Sequence, residues 1–398
     1  MSLNPSNTIY PLASSSWDES EIEAMHRVID SGKFTMGEEV AACEREFAGQ
    51  VGVRYALMVN SGSSANLLMI AAMRYRRRGR SLEPGDEVIV PAVSWATTFY
   101  PVSQHGLKLV FVDIDADTLN LDLDSLEDAV GQETKAVLGV NLLGNPLDLP
   151  RLQAFCEERG LILLEDNCES LGAKVGGKQA GTYGLLGTFS SFFSHHISTM
   201  EGGFVVTDDE ELYHILLSIR SHGWTRHLPN ENLVCGTKGD DPFEESFRFV
   251  LPGYNLRPLE LQGAVGREQI RKIDKFVEAR RKNAAHFKEL FADDDLYSIQ
   301  QETGESSWFG FALLLKKAIE GITRKDVLER LEGTGIEMRP IVSGNFAKNS
   351  VVNHLEHRVV GTLKNSEWLD GNGFFVGNHH FDIRERIDRL REVLFEFG

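Results

Sequence analysis

Ser190-Ser191-Phe192-Phe193-Ser194-His195-His196-Ile197-Ser198-Thr199-Met200-Glu201-Gly202-Gly203 is the stretch on which the fold turns. It opens at the end of a β-rich run, residues 188–192, and closes on a Gly-Gly pair that leads into another, residues 204–207. Two adjacent histidines stand between them. Towards the N-terminus, further β-rich runs occupy 55–59, 87–90, 109–112, 136–140 and 161–164, alternating with helical stretches. Seven such runs imply a mostly parallel sheet covered by helices, an α/β fold. Glu83-Pro84-Gly85-Asp86 supplies a turn before one run, and residues 174–177 open a polar, hairpin-like excursion.

Towards the C-terminus, residues 267–290 have helical periodicity, with Ile270, Ile273, Phe276 and Val277 on one side. Beyond it a strand is expected at 308–313 and a helix at 323–331, an α+β pattern. The expected division is a large domain over 1–265 and, over 266–398, a bridging helix with a smaller domain.

At 398 residues and 42% hydrophobic, the chain has enough apolar material for two domains. Its net charge of −18 repels a phosphate backbone, so no nucleic-acid partner is expected. The densest basic run, Arg74-Tyr75-Arg76-Arg77-Arg78-Gly79-Arg80, is read as the end of a helix, where cations favour the negative end of the dipole. Cys43, Cys156, Cys168 and Cys235 contain no Cys-x-x-Cys pair, which argues against a zinc ribbon or redox motif, and no metal is expected. Met1-Ser2-Leu3-Asn4-Pro5 has no basic or apolar signal character, and no 18-residue apolar stretch occurs. A reduced, soluble, cytoplasmic protein with no membrane partner is the expectation.

Ser61-Gly62-Ser63-Ser64-Ala65-Asn66 follows the run at 55–59 and opens an apolar helix, offering backbone N–H groups to a phosphate. Serine and glycine are also ordinary caps there. Leu164-Glu165-Asp166-Asn167-Cys168-Glu169-Ser170-Leu171-Gly172-Ala173 is an apolar run ending in acids and passing into a small-residue turn. Val93-Ser94-Trp95-Ala96-Thr97-Thr98 and Gly253-Tyr254-Asn255-Leu256-Arg257 are two further turns with polar and aromatic side chains, whose tryptophan suits a core and whose asparagine suits a cap equally well.

Together these segments resemble the DegT/DnrJ/EryC1/StrS sugar aminotransferase family, over roughly residues 10–378. The resemblance implies a pyridoxal-phosphate enzyme of fold type I, with a seven-stranded, mostly parallel sheet. It assigns Asp166 to the pyridinium nitrogen, where a carboxylate keeps the nitrogen protonated. It places Gly62, Ser63, Ser64 and Ser190 at the phosphate, Trp95 on the ring face and Glu169 beside the cofactor. Asn255 would reach the phosphate of a neighbouring subunit, which makes the expected assembly a homodimer with shared sites.

Counted back from Gly202-Gly203, the family's Schiff-base lysine falls on His195. Imidazole cannot form an imine with the cofactor aldehyde, so the implied cofactor, pyridoxal 5′-phosphate alternating with pyridoxamine 5′-phosphate, is bound without a covalent tether. His195 is left as a base. Residues 11–15, 141–146, 222–226, 302–310 and 339–342 resemble the family's dehydratase members, which take glutamate as amino donor, remove the C3 hydroxyl of GDP-4-keto-6-deoxymannose on the route to colitose, and release ammonia. His222, Arg226 and Arg339 are the implied contacts to that sugar or its diphosphate. A related histidine-bearing branch carries an iron–sulfur cluster and works with a reductase, but no cysteine follows Cys235, so neither is expected. The alternatives are a perosamine-type 4-aminotransferase, which needs the missing lysine, and a non-catalytic homologue that binds the cofactor or a nucleotide sugar.

Overall fold

The structure, a computed structural model, describes residues 8–316 and 322–395. The segment Met1 to Pro5 lies outside them. The first layer is built from β1 (Tyr55–Val59), β2 (Glu87–Pro91), β3 (Lys108–Val112), β4 (Thr134–Val140), β5 (Ile162–Asp166), β6 (Leu186–Ser190) and β7 (Gly203–Thr207). All seven expected runs are strands, with ends moved by at most two residues. An eighth, His357–Val359, pairs parallel with β3 and enlarges the expected seven-stranded sheet. Three residues long and partly exposed, it has none of the apolar alternation that marks the others.

The order across the sheet is β1, β7, β6, β5, β4, β2, β3 and then His357–Val359, and only β7 runs against the rest. Side chains alternate between its faces. Leu57, Val88, Val90, Leu109, Phe111, Ala136 and Leu138 join one apolar cluster, whereas Ile89, Val110, Val112 and Val137 join another on the opposite side. Burying each such side chain contributes about 1.5–3 kcal/mol, and this two-sided burial is why the strands read as continuous apolar runs.

Among the helices are α1 (Glu19–Ser31), α2 (Glu38–Val51), α3 (Gly62–Tyr75), α4 (Ala96–Gln104), α5 (Leu149–Arg159) and α6 (Glu210–Ile219). α3 ends at Tyr75, so only Arg74 of the basic run lies in its last turn. The others serve the fold beyond it: Arg76 pairs with Asp209 at 2.7 Å, and the Arg77 and Arg78 N–H groups donate to Glu211.

The expected single helix over 267–290 is two, α7 (Glu260–Ile270) and α8 (Ile273–Phe291). The break falls at Arg271 and Lys272, where Lys272 Nζ reaches Glu21 at 2.6 Å. A second sheet follows, ordered β8 (Tyr297–Ile299), β9 (Gly310–Leu315), β12 (Gly373–Gly377) and β10 (Met338–Arg339), all antiparallel. In chain order His357–Val359 is β11. α8 packs on this sheet with α9 (Arg324–Gly333) and α11 (Arg384–Phe395), through Phe287, Phe291, Val327, Leu331, Ile387 and Leu390; α10 (Lys364–Asn372) precedes β12. We propose the division near residue 265 as the domain boundary, with β11 crossing back to the large sheet.

The carboxyl ends of β1, β2, β4, β5 and β6 lead directly to Ser61, Trp95, Asn141, Asp166 and Ser190. In a parallel sheet these ends share one edge, and there the site forms.

Candidate active site

A cavity of about 600 Å³ opens at that edge, lined by residues that include Gly62, Ser63, Trp95, Asp166, Glu169, Ser190, His195 and Arg339. Expected site residues are thus brought together from widely separated parts of the chain. Ser64, His222, Arg226 and Asn255 are not in its lining. Ser64 instead completes a cap: its N–H donates to Ser61 Oγ at 3.0 Å.

The cap presents the first turn of α3 to the cavity, where N–H groups have no intrahelical acceptor. Gly62 is required by close packing, since an added Cβ would lie 2.7 Å from Ser190 Cβ and 3.2 Å from Cys168 Sγ. Gly203 is constrained in the same way, with Ser61 O at 2.6 Å and Gly62 N at 2.7 Å from such an atom. The Gly-Gly pair therefore lets the histidine loop close onto the helix terminus. That loop is stapled by Ser191 N–H donating to Gly202 O at 3.0 Å, and by the Ser191 and Thr199 hydroxyls 2.6 Å apart.

Asp166 is buried at the end of β5 and held by three donors: Asn66 Nδ2 at 2.7 Å and Thr98 Oγ1 at 2.8 Å, both to Oδ2, and Cys168 N–H at 3.2 Å to Oδ1. Asn66 and Thr98 stood inside stretches singled out in the sequence, without a role assigned to them. Neighbouring Glu165 does structural work, accepting from the N–H groups of Gly181, Tyr183 and Gly184 at 2.6–2.7 Å. Burial pushes the Glu169 carboxyl up to about 7, against the lowering effect of the Leu143 N–H bond and with a further rise from Asp166.

His195 is at the cavity wall between aromatic rings, 5.1 Å from Phe309 and 6.0 Å from Phe192, centroid to centroid. Its Nδ1 is buried without a hydrogen-bond partner. Burial lowers its pKa to about 4, and the Arg280 guanidinium adds to the effect, so at neutral pH the imidazole is uncharged. His196 faces away and bonds Ser307 O through Nε2 at 3.1 Å. Phe309 immediately precedes β9 of the second sheet, over a hundred residues away; the sequence placed it in an expected strand and in the 302–310 motif without assigning it to the site. Trp95, the residue that opens α4, is 58% exposed, so its indole has a free face.

A site with a helix terminus for an anion, a fixed carboxylate, an exposed indole and an unpartnered imidazole fits a phosphorylated, cationic aromatic ring. The model of the DegT/DnrJ/EryC1/StrS aminotransferase family matches residues 15–391. The chain belongs to this family.

Within the family it is 58% identical over 386 residues to the GDP-4-keto-6-deoxy-D-mannose 3-dehydratase of Yersinia pseudotuberculosis, covering 97% of this chain and 98% of that protein. It is equally identical to the Escherichia coli protein of the same name, over 97% of this chain and 99% of that one. Its backbone matches the solved structure of the E. coli dehydratase with bound hydrated PLP at a TM-score of 0.95, with 57% identity over 98% of this chain and 100% of that one. No helix among the described residues is long and apolar enough to cross a membrane.

Proposed function

We propose that this family member is a PLP/PMP-dependent lyase that removes the C3 hydroxyl of GDP-4-keto-6-deoxy-D-mannose. Glutamate is the amino donor and ammonia is released, on the cytoplasmic route to colitose. The observation that carries the reading is the base at the cavity wall: His195 stands there, and among the described residues no lysine lines the cavity.

Gly62, Ser63 and Ser190, with Ser64 in the same helix turn, would hold the cofactor phosphate, and Trp95 would cover the ring face. Asp166, immobilised by Asn66 and Thr98, would hold the ring nitrogen protonated. When bound, pyridoxal phosphate supplies an electron sink for a carbanion at the carbon attached to its nitrogen. His195, neutral at physiological pH, would be the base for a proton at C4′ of the bound cofactor and the acid for the departing C3 oxygen. Arg339, exposed at the cavity rim, meets the anionic part of the substrate.

Asn255, His222 and Arg226 lie outside this cavity, around Trp224. The His222 ring is 4.8 Å from the Trp224 ring, Arg226 stacks at 4.8 Å, and Asn255 accepts from Arg257 Nε at 2.9 Å. Phe243, Phe247 and Phe249 are exposed nearby in sequence. This surface supports a homodimer in which Asn255 serves the partner's site.

The test is mass spectrometry of the sugar nucleotide after incubation with pyridoxal phosphate, glutamate and GDP-4-keto-6-deoxymannose, with an ammonia assay alongside. Loss of the C3 oxygen with ammonia release is expected. Retention of that oxygen with nitrogen gained at C4 would make the protein a transaminase.

A further inference from the structure

α8 carries Arg280 into the interior, where the residue is 4% exposed. Its Nη1 donates to Asn378 O at 2.9 Å, Phe309 O at 3.0 Å and Trp308 O at 3.4 Å, and its Nε has no partner. Among the described residues no carboxylate pairs with it. A buried guanidinium ordinarily has such a partner, because desolvating a lone cation is costly. In this protein that cost is incurred directly behind the site.

Two of the three carbonyls Arg280 holds, those of Trp308 and Phe309, belong to the segment that walls His195. Phe309 N–H donates to Leu143 O at 2.9 Å, and the preceding Trp308 is in the left-handed region at φ 49°. Gly144 packs so close that a Cβ there would lie 2.4 Å from Trp308 N. The Phe309 ring is thereby fixed at 64° to the imidazole of His195. With Nδ1 unpartnered, no hydrogen bond at that nitrogen orients the ring, unlike most acid–base histidines.

We propose that Arg280 is a positioning residue for His195, pinning the Phe309 ring against the imidazole and placing an unpaired positive charge behind it. The inference rests on His195 being the base. Arg280 acts from α8 amid other charges at the site: His196 beside His195, Asp166 and Glu169 after β5, Glu201 before β7 and Arg339 on β10. The lowered pKa of His195, caused by burial first and Arg280 second, accords with this placement.

The test separates charge from hydrogen bonding. Arg280→Gln keeps donors for the carbonyls and loses the charge, whereas Arg280→Lys keeps the charge. Imidazole 15N shifts of the full-length protein, with pyridoxal phosphate added and without, are followed from pH 4.5 to 8, and His195 is assigned by its loss in His195→Asn. The wild type and Arg280→Lys are expected to begin protonating only at the acid end of the range, while Arg280→Gln titrates higher by about 0.5–1 unit, and the acid limb of kcat/KM moves with it. An unmoved His195 in Arg280→Gln, or equal shifts in both variants, would overturn the proposal. If Arg280→Gln does not fold, Phe309→Leu decides: kcat lower by about 10-fold at unchanged KM supports the pinning role, and unchanged kcat overturns it. Because the titration needs no turnover, its failure is distinct from failure of the dehydratase reading, which the product assay on the wild type tests.

Discussion

Asn66 donates to Asp166 Oδ2 at 2.7 Å while its own side-chain oxygen accepts from Thr188 Oγ1 at 2.6 Å, so the carboxylate is aimed by a side chain that is itself locked. Thr98 repeats the arrangement from α4, with its hydroxyl 2.7 Å from that of Ser94. An acid meant to hold a ring nitrogen protonated gains from this rigidity, because no reorganisation is needed when the positive charge arrives.

Asn66→Ala and Thr98→Val should each weaken pyridoxal-phosphate binding by about 10-fold, the equivalent of one hydrogen bond to a charged group. Fluorescence titration of cofactor into the variants measures this. Unchanged affinity in both would mean that Asp166 does not hold the ring nitrogen.

His195→Asn should retain cofactor and sugar-nucleotide binding but lower turnover by a factor of about 10² to 10⁴, the usual contribution of a positioned acid–base group. Product formation followed by mass spectrometry, with binding measured separately, checks it. A variant active at the wild-type rate would place the base elsewhere.

The main lines of the site were legible in the sequence because residues that follow the parallel strands of the large sheet arrive at one edge. Gly62, Asp166, Ser190 and His195 stand in short motifs after such strands, and their resemblance to the family's motifs is what assigned them to one site. The supporting residues carried weaker signals. Ser64 takes part in the helix cap through its N–H, a role that the sequence allowed beside a phosphate contact. Arg280 and Phe309 meet His195 only through the packing of α8 and the second sheet, a long-range juxtaposition with no periodic mark. The same holds for β11, whose three residues add to the sheet edge without an apolar pattern.

Acid should destabilise the fold. Burial holds His195, His227, His379 and His380 to about 4 and His196 well below its ordinary value. The unfolded chain protonates near 6.5, so the stability these groups contribute is complete above that pH and is lost as pH falls towards 4. Glu169, raised to about 7, acts in the opposite sense, its contribution being present below the usual carboxylate range and lost as pH rises through 7. Five histidines outweigh it. The urea midpoint should therefore fall between pH 7 and pH 5, and a midpoint that rose over that interval would contradict the burial of these imidazoles.

If Asn255 completes the partner's site, a 1:1 mixture of His195→Asn and Asn255→Ala subunits, unfolded and refolded together, should recover about a quarter of wild-type activity, from the one intact site in each heterodimer. Either variant alone should be nearly inactive. Absence of recovery in a verified heterodimer would place Asn255 outside the shared site.

The central claim, that imidazole stands where an amine would tether the cofactor, is tested most directly by intact-mass spectrometry after borohydride reduction of protein loaded with pyridoxal phosphate. Wild type and His195→Lys are compared side by side. No added mass is expected on the wild type, and one reduced cofactor on the lysine variant. A cofactor fixed to the wild type, mapped to a lysine in the cavity, would contradict that claim.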